Sequence, residues 1–300
     1  MRDYGTDAYE AQEEFVLKPK QLGKVGMARF IFNYLWDLFW YPIENGCTIA
    51  MPASTYTRIK ARAYADLESL PASKVTYTNP KLSRNTDASS SIPFLSDGDI
   101  LTAWIMRLVV RANPLIHASP TRTVAVCNVF GMRDLLRNTA PALLPQHGAY
   151  IHNCVTTVCS LFSAHEMTTL PLGHVAARIR ADLVEQGTRP QMEASQREKV
   201  TAGMPMYGDG GMAMCTLTNW YKARLYQTDF SAAIVKGGMG EGSGKPAYCH
   251  PYATAKGFSL RGSANVIGKD RKGTWWMGTV MRKDFLEEFR KAVDEEAMLA

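Results

Sequence analysis

The pattern of apolar and polar residues predicts an α/β fold on a mixed sheet, and three observations carry that prediction. Segments with helical spacing of apolar residues alternate irregularly with short β-branched runs. Two of those runs, at 264–267 and 274–280, flank Lys269-Asp270-Arg271-Lys272-Gly273, which reads as a hairpin turn, so the strands are not all parallel. The chain has 300 residues, 46% of them hydrophobic and 21% charged, enough for a sizeable core and far from the composition of a disordered or collagen-like chain.

Each element has its own signal. Residues 15–19 read as an extended segment after an acidic lead-in. The aromatic-dense run 29–40 reads as a helix closed by Pro42; it either packs on the core or walls a pocket or a partner interface. Residues 47–52 form a short strand ended by proline, and Ser54 or Thr55 caps a helix over 56–69. Residues 71–93, rich in Ser, Thr, Asn and Pro, read as a linker that separates an N-terminal segment, 1–90, from a domain over 91–300. Ser96 and Asp99 have capping-box spacing, and Ile100, Leu101, Trp104, Ile105, Leu108 and Val109 then recur at helical spacing. Runs 121–130, 150–155 and 212–217 read as strands. Pro171 opens a helix that Gly187 stops, and Phe285, Leu286, Phe289 and Val293 line a closing helix.

Composition excludes several functions. The net charge of +6, from 34 basic and 28 acidic residues, is spread along the chain without a basic tract, so no nucleic-acid partner is expected. The longest apolar stretch, 27–43, is interrupted by Arg29, Asn33 and Asp37 and is too short for a membrane span. No signal peptide is visible, and a cytoplasmic protein is expected. The six cysteines form no C-x-x-C pair and read as reduced thiols, with no metal site. The glycine-rich loop 237–244 lacks the spacing of a nucleotide fingerprint: Met239 and Pro246 break a Walker pattern, and Lys245 and Ala247 break a dinucleotide one. Gly242-Ser243-Gly244 is too tight for a hydrolase elbow. Six histidines remain (117, 147, 152, 165, 174 and 250), and spacing alone gives none of them a partner that would orient a general base.

Four segments, in order, resemble the C-terminal half of the BAHD acyltransferases, particularly their fungal, trichothecene O-acetyltransferase-like branch. Leu95-Ser96-Asp97-Gly98-Asp99-Ile100-Leu101-Thr102-Ala103-Trp104 resembles the family's S-x-x-D-x-L-x-A helix start. Asn128-Val129-Phe130-Gly131-Met132-Arg133 resembles its strand-to-arginine stretch, and Ala149-Tyr150-Ile151-His152-Asn153-Cys154 its Y-x-G-N strand. Thr218-Asn219-Trp220 with Thr228-Asp229-Phe230 resembles its SW…DFGWG element. The resemblance is clear over 91–300 and vaguer over 15–70. It implies a chloramphenicol-acetyltransferase-like two-layer domain with a mixed sheet, preceded by a crossover segment. It also implies a wall for CoA and acceptor formed by Asn128, Asn153, Thr218, Asn219 and Trp220. Asp229 is implied to be architectural, paired with Arg133 or Arg224.

Two departures qualify what the family implies. Its H-x-x-x-D motif is absent: the residues four after each histidine are Thr121, Ile151, Thr156, Thr169, Arg178 and Thr254. Ser231-Ala232-Ala233 also stand where the family has Gly-Trp-Gly. The resemblance therefore implies a truncated protein without the first, base-bearing domain. Three functions stay open. The first is acyl transfer from acyl-CoA as co-substrate to a hydroxyl of a small natural product, with a base from a complementary half or from His152. The second is a cofactor-free cyclase in which Trp36, Phe39, Trp40, Trp220, Trp275 and Trp276 steer an intramolecular reaction. The third is a non-catalytic interaction domain whose bare apolar face self-associates.

Overall fold

A computed structural model describes residues 13–77, 92–139, 144, 150, 153–234, 244–250, 259 and 261–299. Most of the glycine-rich loop, much of the 71–93 linker, His147 and His152 lie outside the described residues. Six strands form one sheet in the order β1-β6-β5-β4-β2-β3: β1 Glu44–Met51, β2 Thr123–Gly131, β3 Val155–Ser163, β4 Ala213–Asn219, β5 Ser263–Lys269 and β6 Trp275–Arg282. β2, β4 and β5 are mutually parallel, and the β1–β6, β5–β6 and β2–β3 pairs are antiparallel, so the sheet is mixed as the hairpin required.

α1 spans Lys24–Trp40, α2 Ala53–Asp66, α3 Asp97–Ala112, α4 Pro114–His117, α5 Arg133–Thr139, α6 Ala164–Thr169, α7 Leu172–Gln186, α8 Arg189–Ala202 and α9 Leu286–Leu299. One face of this sheet carries α2, α3, α4, α6, α7 and α9 of these nine described helices. α3 starts at the expected capping box, with Ser96 and Asp99 satisfying each other's backbone N–H groups. The sequence shows one apolar face, yet α3 is buried nearly all round, because α2, α6, α7 and α9 enclose it against β4 and β5. Its Arg107 is tolerated there by donating to the Met167 and Leu170 carbonyls. Val124, Val126, Cys215, Leu217, Val266, Trp275 and Met277 face these helices and form the main core.

Among the described residues the other face has a hydrophobic cover over β2 and β3. There Phe15, Ala125, Cys127, Cys159, Ala194, Tyr207 and Met212 make a smaller core. The Cys127 and Cys159 sulfurs face each other at 3.2 Å as free thiols. Over β4, β5, β6 and β1 the alternate positions, from Met214 and Thr218 to Trp276, Gly278 and Thr48, are half-buried or exposed. Among the described residues no helix is long and apolar enough to cross a membrane.

Several expectations need correction. The strand expected at 150–155 begins at Val155 and runs on to Ser163. Its core-facing positions include Thr156 and Ser160, so the alternation is hidden in a polar-looking run. The helix expected at 56–69 starts at Ala53 behind Pro52, with no side-chain cap, and ends in a 3-10 turn at 67–69. The extended segment at 15–19 is instead a 3-10 turn over Lys18–Lys20. The aromatic run does form a helix, α1, and Phe30 packs against the smaller core, but most of its aromatic side does not. None of its residues is buried, and Phe32, Trp36, Phe39 and Trp40 are all more than half exposed. α1 is held from its polar side. Asn33 donates to the Gly210 carbonyl, and Asp37 pairs with Arg261 and Arg282.

Candidate functional site: a polar row on the open sheet face

Strand register brings four positions into line across the open face. Thr48 of β1 lies beside Gly278 of β6, Gly278 beside Asn265 of β5, and Asn265 beside Thr218 of β4. At ~4.8 Å per strand the row spans roughly 14 Å. Gly278 has a reason to be glycine, because a Cβ there would stand 2.5 Å from Asn265 Oδ1. The Asn265 amide thus lies over the neighbouring strand. At one end of the row Trp220 Nε1 donates to Thr218 Oγ1 at 3.1 Å. At the other end the Tyr248 hydroxyl is 3.5 Å from Thr48 Oγ1 and 3.3 Å from His250 Nδ1. The Tyr248 ring leans edge-on against Trp276 at 4.8 Å. Hydroxyls and an amide in a row between aromatic rings can orient a polar chain by hydrogen bonds. His250 adds a group able to move a proton if Nδ1 holds the hydrogen toward Tyr248 and leaves Nε2 open.

The expected wall residues divide between the two faces. Thr218 and Trp220 belong to the row. Asn219 and Asn128 point the other way, toward the start of α3. Asn219 Nδ2 comes so close to Gly98 that a Cβ there would be 2.9 Å from it, and Asn219 Oδ1 accepts the Tyr221 N–H. Tyr221 then rests on Trp275, ring centroids 4.9 Å apart. Asn128 is 8% exposed, with Oδ1 3.4 Å from the Thr102 hydroxyl and Nδ2 unsatisfied. Asn153 is exposed just ahead of β3, beyond β2 and away from the row. His152 lies outside the described residues. The Asp229 carboxyl does not form the expected ion pair: among the described residues it bonds neither Arg133 nor Arg224. It accepts the Ser231 N–H at 2.8 Å, and that bond holds it below the usual carboxylate range.

Sequence reasoning missed the supports of this edge. Asp97 Oδ1 receives both the Tyr56 hydroxyl at 2.6 Å and Lys60 Nζ at 2.8 Å. Burial pushes the Asp97 carboxyl up, but those two bonds outweigh it and leave it low. Burial, reinforced by the bond to Asp97, drives the Tyr56 phenol far up, so it stays protonated. Neither group takes up a proton near neutrality. Asp99, in turn, is locked to Arg180 at 2.5 Å. Among the described residues no cluster of three or more His, Cys, Asp or Glu side chains could hold a metal.

No family model matches the chain. It is 34% identical over 216 residues to the transcriptional regulator calD of Penicillium decumbens, covering 68% of this chain and 42% of that protein. It is 31% identical over 259 residues to the acetyltransferase sphE of Aspergillus fumigatus, covering 83% and 46%. Among solved structures it is similar to F. graminearum TRI101 complexed with coenzyme A and T-2 mycotoxin, at 15% identity and a TM-score of 0.61, over 97% of this chain and 54% of that one. The fold is the chloramphenicol-acetyltransferase-like α/β fold of TRI101. The chain spans about half the length of the curated relatives it matches.

Proposed function

We propose that this chain is a BAHD-type acyltransferase domain of fungal secondary metabolism. Its open sheet face helps hold acyl-CoA while a hydroxyl of a small natural product attacks the thioester carbonyl. The observation that carries this reading is the 31% identity to an acetyltransferase over 83% of the chain. Support comes from the polar row on the uncovered face of a sheet whose fold is shared with a CoA-complexed protein. In the reaction the acceptor oxygen forms the new ester bond and the carbon–sulfur bond breaks. A base takes the hydroxyl proton, and the CoA thiolate leaves and is protonated. Thr218 and Asn265 are the proposed hydrogen-bonding groups. The base is His250, at the end of the row, or His152, or a group supplied by a complementary polypeptide. Asn128 and Asn219 act by positioning the α3 edge, not by touching substrate. The exposed aromatic side of α1 is covered by self-association of the chain.

A second reading is favoured by the open aromatic rim, Trp220 and Trp276, around groups that orient rather than titrate: a cyclase that binds an apolar polycycle and needs no CoA. The test incubates purified chain with acetyl-CoA and hydroxylated fungal metabolites and follows free thiol. Acyl transfer predicts thiol release above the protein-free blank. It also predicts loss of that release in His250→Ala or His152→Ala, and a fall of about tenfold or more in Thr218→Val. Tight binding of a polycycle without CoA binding replaces this reading with the cyclase. Binding of neither leaves an interaction domain.

A further inference from the structure

A cavity of about 640 Å³ lies at the opposite end of the parallel strands, where α1 crosses the starts of β4 and β5 beneath the C-terminal end of α3. Thr121 and Arg122 at its rim stand about 20 Å along β2 from Asn128, so it is separate from the α3 edge and from the polar row. Its charges are unbalanced. Arg261 and Arg282 are occupied by Asp37, and Asp284 holds Arg282 further. Among the described residues, two other lining arginines meet no carboxylate. Arg122 spends its guanidinium on the Gly211 carbonyl at 2.9 Å and the Leu115 carbonyl at 3.3 Å. Arg29 makes no hydrogen bond or ion pair among the described residues, and its Nη2 is 3.9 Å from where a Gly211 side chain would begin. Both guanidinium groups therefore converge on one glycine. Asp209, which also lines the cavity, accepts the Gly211 N–H on Oδ1 at 2.7 Å and, among the described residues, forms an ion pair with neither. Glycines make this possible: a Cβ at Gly210 would stand 2.8 Å from the Gly26 carbonyl of α1, so the loop reaches the helix only without a side chain there.

Arg29 is exposed and Arg122 half-buried, so both guanidinium groups are hydrated in the empty protein and keep N–H donors free for an anion that enters the cavity. We propose that this cavity binds a small amphipathic anion. Its carboxylate or phosphate sits between Arg29 and Arg122, and its apolar body lies against Tyr34, Ile116, Met281 and Phe285. The volume is within the range of ordinary small-molecule sites. The proposal stands apart from the acyl-transfer reading and fails independently of it.

Titration calorimetry on the 300-residue chain tests it with octanoate, octyl phosphate, octanol and inorganic phosphate. Octanoate and octyl phosphate are expected to bind, octanol about tenfold more weakly or worse. Added salt is expected to weaken only the charged ligands. Arg29→Gln, on an exposed position, is expected to weaken both anions about tenfold and leave octanol and the unfolding midpoint unchanged. Arg29→Lys restores part of the loss. Equal binding of octanol and octanoate, or anion binding indifferent to Arg29→Gln, overturns the proposal. Inorganic phosphate binding as tightly as octyl phosphate removes the apolar half of it.

Discussion

Asp270 closes the β5–β6 turn with its carboxylate. Oδ1 accepts the Lys272 and Thr274 N–H groups at 2.8 and 2.9 Å, and Oδ2 accepts the Trp276 indole N–H at 3.0 Å. Burial pushes this carboxyl up, but the three bonds together outweigh it and hold it below its ordinary value. A depressed folded-state value means the unfolded chain binds the proton more readily. The stabilisation is therefore complete above the unfolded value, ~3.9, and is lost as pH falls through the lower folded one. Asp270→Ala is expected to cost about 1–3 kcal/mol at neutral pH. In urea titrations at a series of pH values the gap between the two proteins should narrow below about pH 4. A gap that is constant with pH would mean the carboxylate's charge plays no part. The same residue shows what a single position reveals in sequence. Asp in a turn is legible from local chemistry, and so is the hairpin. Asn265 is not, because its place over Gly278 depends on register between strands.

At the scale of elements, glycine sets how closely helices approach. Gly173 opens α7 against α2. A Cβ there would lie 2.1 Å from the Ala63 carbonyl and 2.7 Å from Asp66 Cβ, and the Gly173 N–H donates to Asp66 Oδ2 at 2.8 Å. The obstacle is backbone, which cannot swing aside, so Gly173→Ala must push the helices apart. The expected loss is about 3 kcal/mol or more, read as a lowered urea midpoint with unchanged slope. Gly131→Ala, at the exposed end of β2 where nothing lies within 4 Å, is the control and should shift the midpoint little. Elements with a period were legible in the same local way: α3 from its capping box, α7 from Pro171 and Gly187, β2 from its β-branched run. β3 was not, because its inward side holds Thr156 and Ser160. It is a sheet edge, whose outer backbone at Cys159 is satisfied by both amide atoms of Gln186. That bond crosses elements, and no window of sequence around 159 contains it.

For the whole molecule, what local sequence cannot express is which surface stays bare. A helix as aromatic as α1 predicts burial, and periodicity alone does not separate a core partner from a surface for another protein. The α1 aromatics pack on one another, Phe32 on Trp36 at 5.8 Å and Phe39 on Trp40 at 5.3 Å, while remaining open to water. The helix is tied down by Asn33, Asp37 and the Gly26–Gly210 approach, all on its other side. These two halves of α1 can be separated experimentally. Trp36→Ser with Phe39→Ser removes apolar surface without touching an anchor. The unfolding midpoint should stay within about 0.5 kcal/mol of the parent chain, because exposed side chains contribute little to monomer stability. Asp37→Ala removes one carboxylate from each of two arginines that are no more than about a tenth exposed at the side chain; Arg261 keeps Glu44 and Arg282 keeps Asp284, so the expected cost is about 1–3 kcal/mol. Light scattering then reads the surface itself. Self-association that disappears in the serine pair, with the midpoint held, places the contact on α1. A parent chain that is already a monodisperse monomer at micromolar concentration overturns self-association through α1, and any cover for its aromatics then comes from outside these 300 residues.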